Sequence, residues 1–189
     1  IVGGEDNFID FSTGINSGWS NIVGGKLNLI KETSYYTSIL GGSGNTITLV
    51  SSNSGILNGT RNYISGAKNG LLGGGDANSI NNADYAFIGG GQDNFVISNS
   101  DYSTIIAGSG STITESLNST IVGGYYNSTA NSSYSNIVGG SHNVLKGNSY
   151  VHVGGGQDNT MYAANHSLLG GGKDNTITAA TYSVVVGGH

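Results

Sequence analysis

The 189-residue chain contains no cysteine and no proline, and only 9% of its residues are charged. The absence of cysteine excludes a disulfide framework and any metal site built from thiolates. The absence of proline leaves no terminal strand blocked at its edge by that residue. Apolar runs extend over only a few residues, so no segment is long enough to span a membrane as a helix.

Positive charge is also scarce. The formal net charge is −5, and the chain has six lysine and arginine residues. They are scattered over the whole length, at Lys26, Lys31, Arg61, Lys68, Lys146 and Lys173. Nucleic-acid binding needs basic side chains clustered on one face. The sequence therefore argues against a nucleic-acid partner.

Glycine, asparagine and serine are abundant instead, and they recur with a period of 16 residues, or 17 in a few places. We number the positions of one unit from 0 to 15, with Ser135 at position 0. Position 2 is aliphatic and position 5 is glycine in all twelve units, while position 8 is asparagine in ten of eleven. Position 10 is apolar except at Thr129, and position 15 is aromatic or histidine in eight units. Such a period indicates a stacked array in which each unit buries its apolar face against its neighbours.

The pattern within a unit favours strands. The segment Ser-x-Ile-x-Gly has the two-residue period of a half-buried strand, and sixteen residues are too few for a pair of helices. We predict an all-β fold, a single-chain parallel β-solenoid (β-roll) of about twelve coils, with 16–17 residues and two short strands per coil, at positions 0–4 and 8–12. Coils about 4.8 Å apart would make a rod of about 55 Å.

We predict one domain over residues 1–189, with an insertion in an irregular first coil (1–19) and regular coils over 20–189. The insertion would either cap the end of the stack or dock onto a neighbouring subunit. The 17-residue coils predict a one-residue bulge at positions 11–14.

The glycine pair and the recurring asparagine predict how the coils are joined. The glycine pair at positions 4 and 5 predicts a corner with torsions that glycine adopts freely. The asparagine at position 8 predicts left-handed torsions and a ladder of amide side chains hydrogen-bonded along the stack.

Position 2 predicts a buried column. The predicted core residues are Ile22, Ile39, Ile56, Leu72, Ile88, Ile105, Ile121, Ile137, Val153 and Leu169.

Positions 1 and 3 flank that column on the same strand, so their side chains point outward. Position 3 is aliphatic in eight units, and where it is glycine, position 1 carries a larger side chain instead. Apolar stripes of this extent usually mark an interface. We predict lateral contact between identical chains, the alternative being cover by another part of the same chain. The predicted interface residues are Val2, Val23, Leu40, Leu57, Leu71, Phe87, Ile106, Val122, Val138, Leu168 and Val186.

Few residues suggest chemistry. Asp158 and Asp174 occupy position 7 in consecutive coils and form a weak calcium candidate, with a solvated or Lys173-paired corner as the alternative. No Gly-Lys-Ser/Thr follows the glycine runs, and no nucleophile, base and orienting group are grouped. We therefore predict no catalytic residue and no cofactor, and a protein that is not an enzyme.

Two further features concern sugars. Among the Asn-x-Ser/Thr sequons, Asn131 and Asn165 lie in the more variable part of the coil and are the glycosylation candidates, whereas Asn127 occupies the inward ladder position. The aromatic residues at position 15 and the pair Tyr125-Tyr126 fit either stacking on sugars or stacking between coils.

The pattern Ser-x-Ile-x-Gly-Gly-x-x-Asn-x-Ile, as in Ser20 to Ile30 and Ser167 to Ile177, resembles the head repeats of trimeric autotransporter adhesins of the YadA type. Similar repeats occur in phage and viral fibres. The resemblance covers the whole chain. It implies a left-handed parallel β-roll that assembles as a trimer and contacts host matrix or cell surfaces.

The sequence thus favours a structural subunit of an extracellular or cell-surface fibre. It would self-associate laterally through the stripe, with end-to-end contact through uncapped coils as a further route to a filament. The alternative is a trimeric adhesin or tail-fibre head that binds host glycan or matrix. Ice binding fits less well, because it needs a flat, regular array of threonines and the threonine pairs of this chain are too sparse. They are Thr46 with Thr48, Thr112 with Thr114, and Thr176 with Thr178.

Overall fold

The computed structural model describes residues 1–10, 19–32 and 34–189, which form twenty-two short strands and no helix. In chain order the strands are β1 (Phe8–Asp10), β2 (Asn21–Ile22), β3 (Leu29–Lys31), β4 (Ser38–Ile39), β5 (Thr46–Thr48), β6 (Gly55–Ile56), β7 (Tyr63–Ser65), β8 (Leu71–Leu72), β9 (Ser79–Asn81), β10 (Phe87–Ile88), β11 (Phe95–Ile97), β12 (Thr104–Ile105), β13 (Thr112–Thr114), β14 (Thr120–Ile121), β15 (Ser128–Ala130), β16 (Asn136–Ile137), β17 (Val144–Lys146), β18 (His152–Val153), β19 (Thr160–Tyr162), β20 (Leu168–Leu169), β21 (Thr176–Thr178) and β22 (Val184–Val185).

The strands belong alternately to two parallel sheets of eleven strands each, called here the odd sheet and the even sheet after their strand numbers. The register is constant, so that equivalent residues of consecutive coils are neighbours, as Ile137 and Val153 are. The predicted all-β parallel β-solenoid with two short strands per coil is confirmed. There are about ten turns rather than twelve coils, because the first unit contributes only β1 and the last only β22. Eleven strands about 4.8 Å apart span about 48 Å.

The strands cover only positions 1–2 and 9–11, which is shorter than predicted, because left-handed residues lie close before or after them. In the coil that starts at Ser135, φ is +55° at His142, +67° at Gly147 and +58° at Tyr150. These N–H groups donate backwards to the preceding coil, as His142 does to the Tyr125 carbonyl at 2.9 Å, whereas strand amides donate forwards. The hydrogen bonds offset the torsional strain of about 1–2 kcal/mol per left-handed residue.

The 17-residue coils accommodate their extra residue with a further left-handed residue. In two of the 17-residue coils the corner after the odd-sheet strand holds two consecutive left-handed residues, Leu49 with Val50 and Ser98 with Asn99. This places the one-residue bulge where the spacing predicts it. Residue 33 in the third such coil and residues 11–18 of the predicted insertion lie outside the described residues.

In most coils only the second glycine of the pair is required. Gly140, at position 5, has φ +81°, and a Cβ there would overlap the carbonyl oxygen of Gly156 in the next coil. A Cβ on Gly139, at position 4, would meet nothing within 4 Å, and Asn58 and Ala107 occupy this position elsewhere. The predicted glycine torsions therefore occur at position 5 from Gly4 to Gly172, but at position 4 only at Gly155 and Gly171, with φ +147° and +155°.

The asparagine ladder at position 8 is present. The Asn143 Nδ2 donates to the carbonyls of Gly139 at 3.1 Å and Gly156 at 3.0 Å and to the Asn127 Oδ1 at 3.1 Å. Its Oδ1 accepts the backbone N–H of Asn159 at 3.1 Å. The ladder residues do not have the left-handed torsions predicted for them, since those fall one residue earlier.

The core consists of columns that run along the stack. The even-sheet column at position 2 is fully buried at Ile22, Ile39, Ile56, Leu72, Ile88, Ile105, Ile121, Ile137, Val153 and Leu169. The odd sheet adds a second apolar column at position 10, which includes Ile113 and Leu145. Small buried residues at positions 0 and 13 fill the remaining corner, where the Ser119 Oγ donates to the Ser132 carbonyl at 2.7 Å. The sequence analysis missed this corner column, although serine and alanine recur at position 13.

Two buried hydroxyl groups interrupt the columns. Thr129 stands at the apolar position 10 between Ile113 and Leu145 of the neighbouring strands. Ser111 replaces the ladder asparagine. Neither hydroxyl has a hydrogen-bond partner among the described residues, and an unsatisfied buried polar group costs about 1–3 kcal/mol.

Candidate functional site

The outer face of the even sheet is the candidate site, and we call its side chains at positions 1 and 3 the apolar stripe. Phe87 is half-buried, and the other ten predicted interface residues are exposed, from 37% at Val122 to 82% at Val186. The sequence analysis left out Val184, which is 65% exposed and lies at position 1 of the last coil. The run Val184 to Val186 is apolar throughout and could have revealed it.

The parallel register makes the stripe continuous. Leu71 and Phe87 are direct neighbours at position 1 of β8 and β10. At position 3, Val122 donates its N–H to Ile137 of the next coil at 3.0 Å, as the equivalent residues of other coils do. Each exposed side chain therefore lies about one strand spacing, 4.8 Å, from the next coil.

The structure explains why the bulk moves from position 3 to position 1 in some coils. A Cβ at Gly73, Gly89, Gly154 or Gly170 would overlap a backbone carbonyl of the next coil, so these coils cannot carry a side chain at position 3. The ring of Phe87 covers the vacant space, with its Cε1 3.4 Å from where a Gly89 Cβ would lie. The larger residue at position 1 thus replaces the missing one.

The stripe carries no aspartate, glutamate, lysine or arginine at positions 1 and 3. The ion pairs of the described residues lie on the glycine corner instead, Lys26 with Glu5 at 2.9 Å and Arg61 with Asp76. The hydrogen bond and the charge of Asp76 raise the pKa of Arg61 above its ordinary value. Charge is therefore kept off the apolar face.

The aromatic residues at position 15 stack on one another along the solenoid. Ring centroids are 4.7 Å apart for Tyr85 and Tyr102. A second column contains Tyr134 and Tyr150 at 4.8 Å and continues through His166 to Tyr182 at steps of 5.1 Å. Inner rings of the column thus have both faces covered by neighbouring rings and present mainly their edges to solvent.

Tyr125 and Tyr126 form a separate cluster with His142. The ring of Tyr126 lies against Gly110, where an added Cβ would come within 2.5 Å of it, and stacks on His142 at 5.7 Å on the other side. The hydrogen bond with Tyr126 raises the pKa of Tyr125 above its ordinary value. The flat faces of Tyr126 are therefore in use within the protein.

The calcium candidates occupy exposed or half-buried corners. Asp158 and Asp174 have left-handed backbone torsions, with φ +54° and +56°. No group of three or more histidine, cysteine, aspartate or glutamate residues able to hold a metal occurs in the described part of the chain. The pair accordingly has no third ligand of these types.

The two glycosylation candidates differ. Asn131 is exposed, at a left-handed corner. Asn165 is half-buried, and its Oδ1 accepts the N–H of Ser149 at 2.8 Å. Asn127, in the ladder, is fully buried. Asn131 is thus the more accessible of the two.

These features define the class of the protein, a β-solenoid repeat protein with an uncharged apolar stripe on one sheet. No helix in the described residues is long and apolar enough to cross a membrane. No family model and no curated protein matches the chain.

Proposed function

We propose that this protein is a structural module of an extracellular or cell-surface fibre, and that it associates side by side with identical copies through the apolar stripe. One observation carries the proposal, which is the exposed and uncharged apolar face that continues over the whole even sheet. The location outside the cell rests on the resemblance of the repeat to surface adhesin heads and fibres.

The size of the stripe fits an interface between proteins. A face about 48 Å long and three residues, or about 10 Å, wide offers about 500 Å² per copy. Two such faces would bury about 1,000 Å², which is at the lower limit of specific interfaces. We therefore expect association that depends on protein concentration, and additional contacts in an assembled fibre.

The composition of the stripe also fits. The cores of interfaces are depleted of charged residues, and the stripe has none. Monomeric proteins rarely leave contiguous apolar patches larger than a few hundred square ångströms exposed. Burial against a second copy would remove this face from water, which favours assembly.

The alternative function, an adhesin head that binds glycan, receives less support. Sugar stacking needs free aromatic faces, and the inner rings of the Tyr134 to Tyr182 column cover one another. Stacked rings stabilise the rod instead, by about 0.5–1.5 kcal/mol per pair.

The proposal is tested by sedimentation velocity over a concentration series. We expect the 19.2 kDa chain to form larger species as concentration rises, and the double variant Val122→Asp, Val138→Asp to remain monomeric. Val144→Asp is the matched control, because Val144 lies in the same coil as Val138 but on the outer face of the odd sheet.

A wild-type chain that stays monomeric at all concentrations would refute the proposal. Association of the double variant equal to that of the wild type would refute it as well. Circular dichroism of each variant establishes that the fold is intact.

A further inference from the structure

We propose that two copies pair with parallel long axes and equal coils at equal heights, so that each large stripe residue faces the small stripe residue of the same coil in its partner. This inference rests on the proposed self-association through the stripe. It adds the symmetry and the register of the contact.

The basis is a rule that holds in ten consecutive coils and ends at the last one, where Val184 and Val186 are both large. In each of ten coils one of the two stripe positions is large and the other is small or polar, and the large one changes sides. The pairs at positions 1 and 3 are Asn21 with Val23, Ser38 with Leu40, Gly55 with Leu57, Leu71 with Gly73, Phe87 with Gly89, Thr104 with Ile106, Thr120 with Val122, Asn136 with Val138, His152 with Gly154 and Leu168 with Gly170.

Symmetry converts this rule into complementarity. A two-fold axis that runs along the stack between two facing even sheets reverses the strand direction at every level. Position 1 of one copy then faces position 3 of the same coil in the other. Leu71 faces the partner's Gly73, and Val122 faces the partner's Thr120. A large side chain meets a small one in all ten coils.

Antiparallel axes are less favourable. In that arrangement position 1 faces position 1 and position 3 faces position 3, and the coil order runs in opposite directions. If all eleven even-sheet strands overlap, β12 lies at the centre and Ile106 faces the partner's Ile106. Two large side chains then compete for one space at the middle of the contact, and Thr104 faces the partner's Thr104 beside them.

The first experiment determines the direction of the axes by crosslinking. The chain has no cysteine, so Ser38→Cys and His152→Cys introduce single thiols. Facing sheets lie about 10 Å apart, beyond the reach of a disulfide, so a short bis-maleimide is the probe. The two sites lie seven strand spacings, or about 34 Å, apart along the even sheet.

Parallel pairing predicts that Ser38→Cys protein crosslinks to itself, and that an equimolar mixture with His152→Cys gives only Ser38–Ser38 and His152–His152 products by mass spectrometry. Mixed Ser38–His152 products would indicate antiparallel axes and overturn the inference. Absence of every product from a chain that does associate would show that the even sheets are not face to face, which also overturns it.

The second experiment tests whether large faces small within one coil. Thr120→Leu places a large side chain opposite the partner's Val122, and we expect it to raise the dissociation constant about tenfold. Adding Val122→Ala exchanges the two sizes, as in the coil of Leu71 and Gly73, and should restore the constant to within about threefold of the wild type. Failure of the exchange to restore association would refute same-coil facing.

The two proposals fail separately. A wild-type chain that is monomeric in sedimentation velocity refutes the fibre module and this inference together. A chain that associates, loses association in Val122→Asp, Val138→Asp and crosslinks in the antiparallel pattern refutes the register alone.

Discussion

Removal of one rung of the asparagine ladder tests what holds neighbouring coils together. Asn143→Ala deletes an amide whose Nδ2 donates to the carbonyls of Gly139 and Gly156, and whose Oδ1 accepts from Asn159. The Gly156 carbonyl keeps a second donor, the N–H of Ser141 at 2.9 Å. The Asn159 N–H and the Gly139 carbonyl lose the hydrogen bonds that the Asn143 side chain provides.

The magnitude follows from these two groups. Each buried polar group without a partner costs about 1–3 kcal/mol, so the free energy of unfolding should fall by about 2–6 kcal/mol. The assay is urea denaturation followed by circular dichroism, at a concentration below that at which copies associate. Because each coil contacts only its neighbours, we expect the loss to arise at the two coil interfaces beside Asn143.

Asn81→Ala is the matched control, since it removes the same amide from the outer face of β9. It should change the free energy of unfolding by less than about 0.5 kcal/mol. The reciprocal variant Ser111→Asn supplies the missing rung and should raise stability by about 1–2 kcal/mol. The reasoning is refuted if Asn143→Ala is no more destabilising than the control.

Three further predictions use the same denaturation assay or a spectroscopic titration. Gly140→Ala should destabilise the protein by more than about 3 kcal/mol or prevent folding, because its Cβ would overlap the next coil, whereas Gly139→Ala, with open space around its Cβ, should fold with stability near that of the wild type. Thr129→Val should stabilise by about 1 kcal/mol, because it removes an unsatisfied hydroxyl from an apolar column; a loss of stability would contradict the assignment. Tyr126→Phe should lower the pKa of Tyr125 toward the ordinary tyrosine value of about 10, measured by ultraviolet absorbance against pH, because the hydrogen bond that raises this pKa is lost. Because this pKa is raised in the folded protein, the hydrogen bond stabilises the fold fully when the pH lies below the ordinary tyrosine pKa. The contribution disappears as the pH rises through the raised pKa.

The coils with glycine at position 3 explain the changing outline of the apolar stripe. A glycine at position 3 lets the backbone carbonyls of successive coils come close, which leaves no room for a side chain there. Leu71 and Phe87 supply the missing apolar surface from position 1. The stripe therefore stays apolar along the rod while its large side chains change sides. In the proposed pairing, the facing copy fits against this outline.

Much of the fold was predictable because the repeat carries its information locally. The two-residue alternation of Ser-x-Ile-x-Gly marks a half-buried strand, and its recurrence every sixteen residues aligns the strands of neighbouring coils. The fully buried column of Ile121 and Ile137, the amide ladder through Asn143, and the exposed side chains of Val122 and Val138 all follow from repeat position alone.

Other features depend on what the next coil places about 4.8 Å away, which a single unit does not reveal. Only the stacked structure shows that Gly140 is required and Gly139 is not, because the decisive atom is a carbonyl oxygen of another coil. Left-handed corners such as Tyr150, which shorten the strands, are stable because their N–H groups reach back to the preceding coil. Tyr126 likewise contacts residues of both adjacent coils, Gly110 and His142. The sequence by itself determined which residues recur and which face they occupy, whereas the tertiary structure decided which backbone torsions and which close contacts the stacking of coils permits.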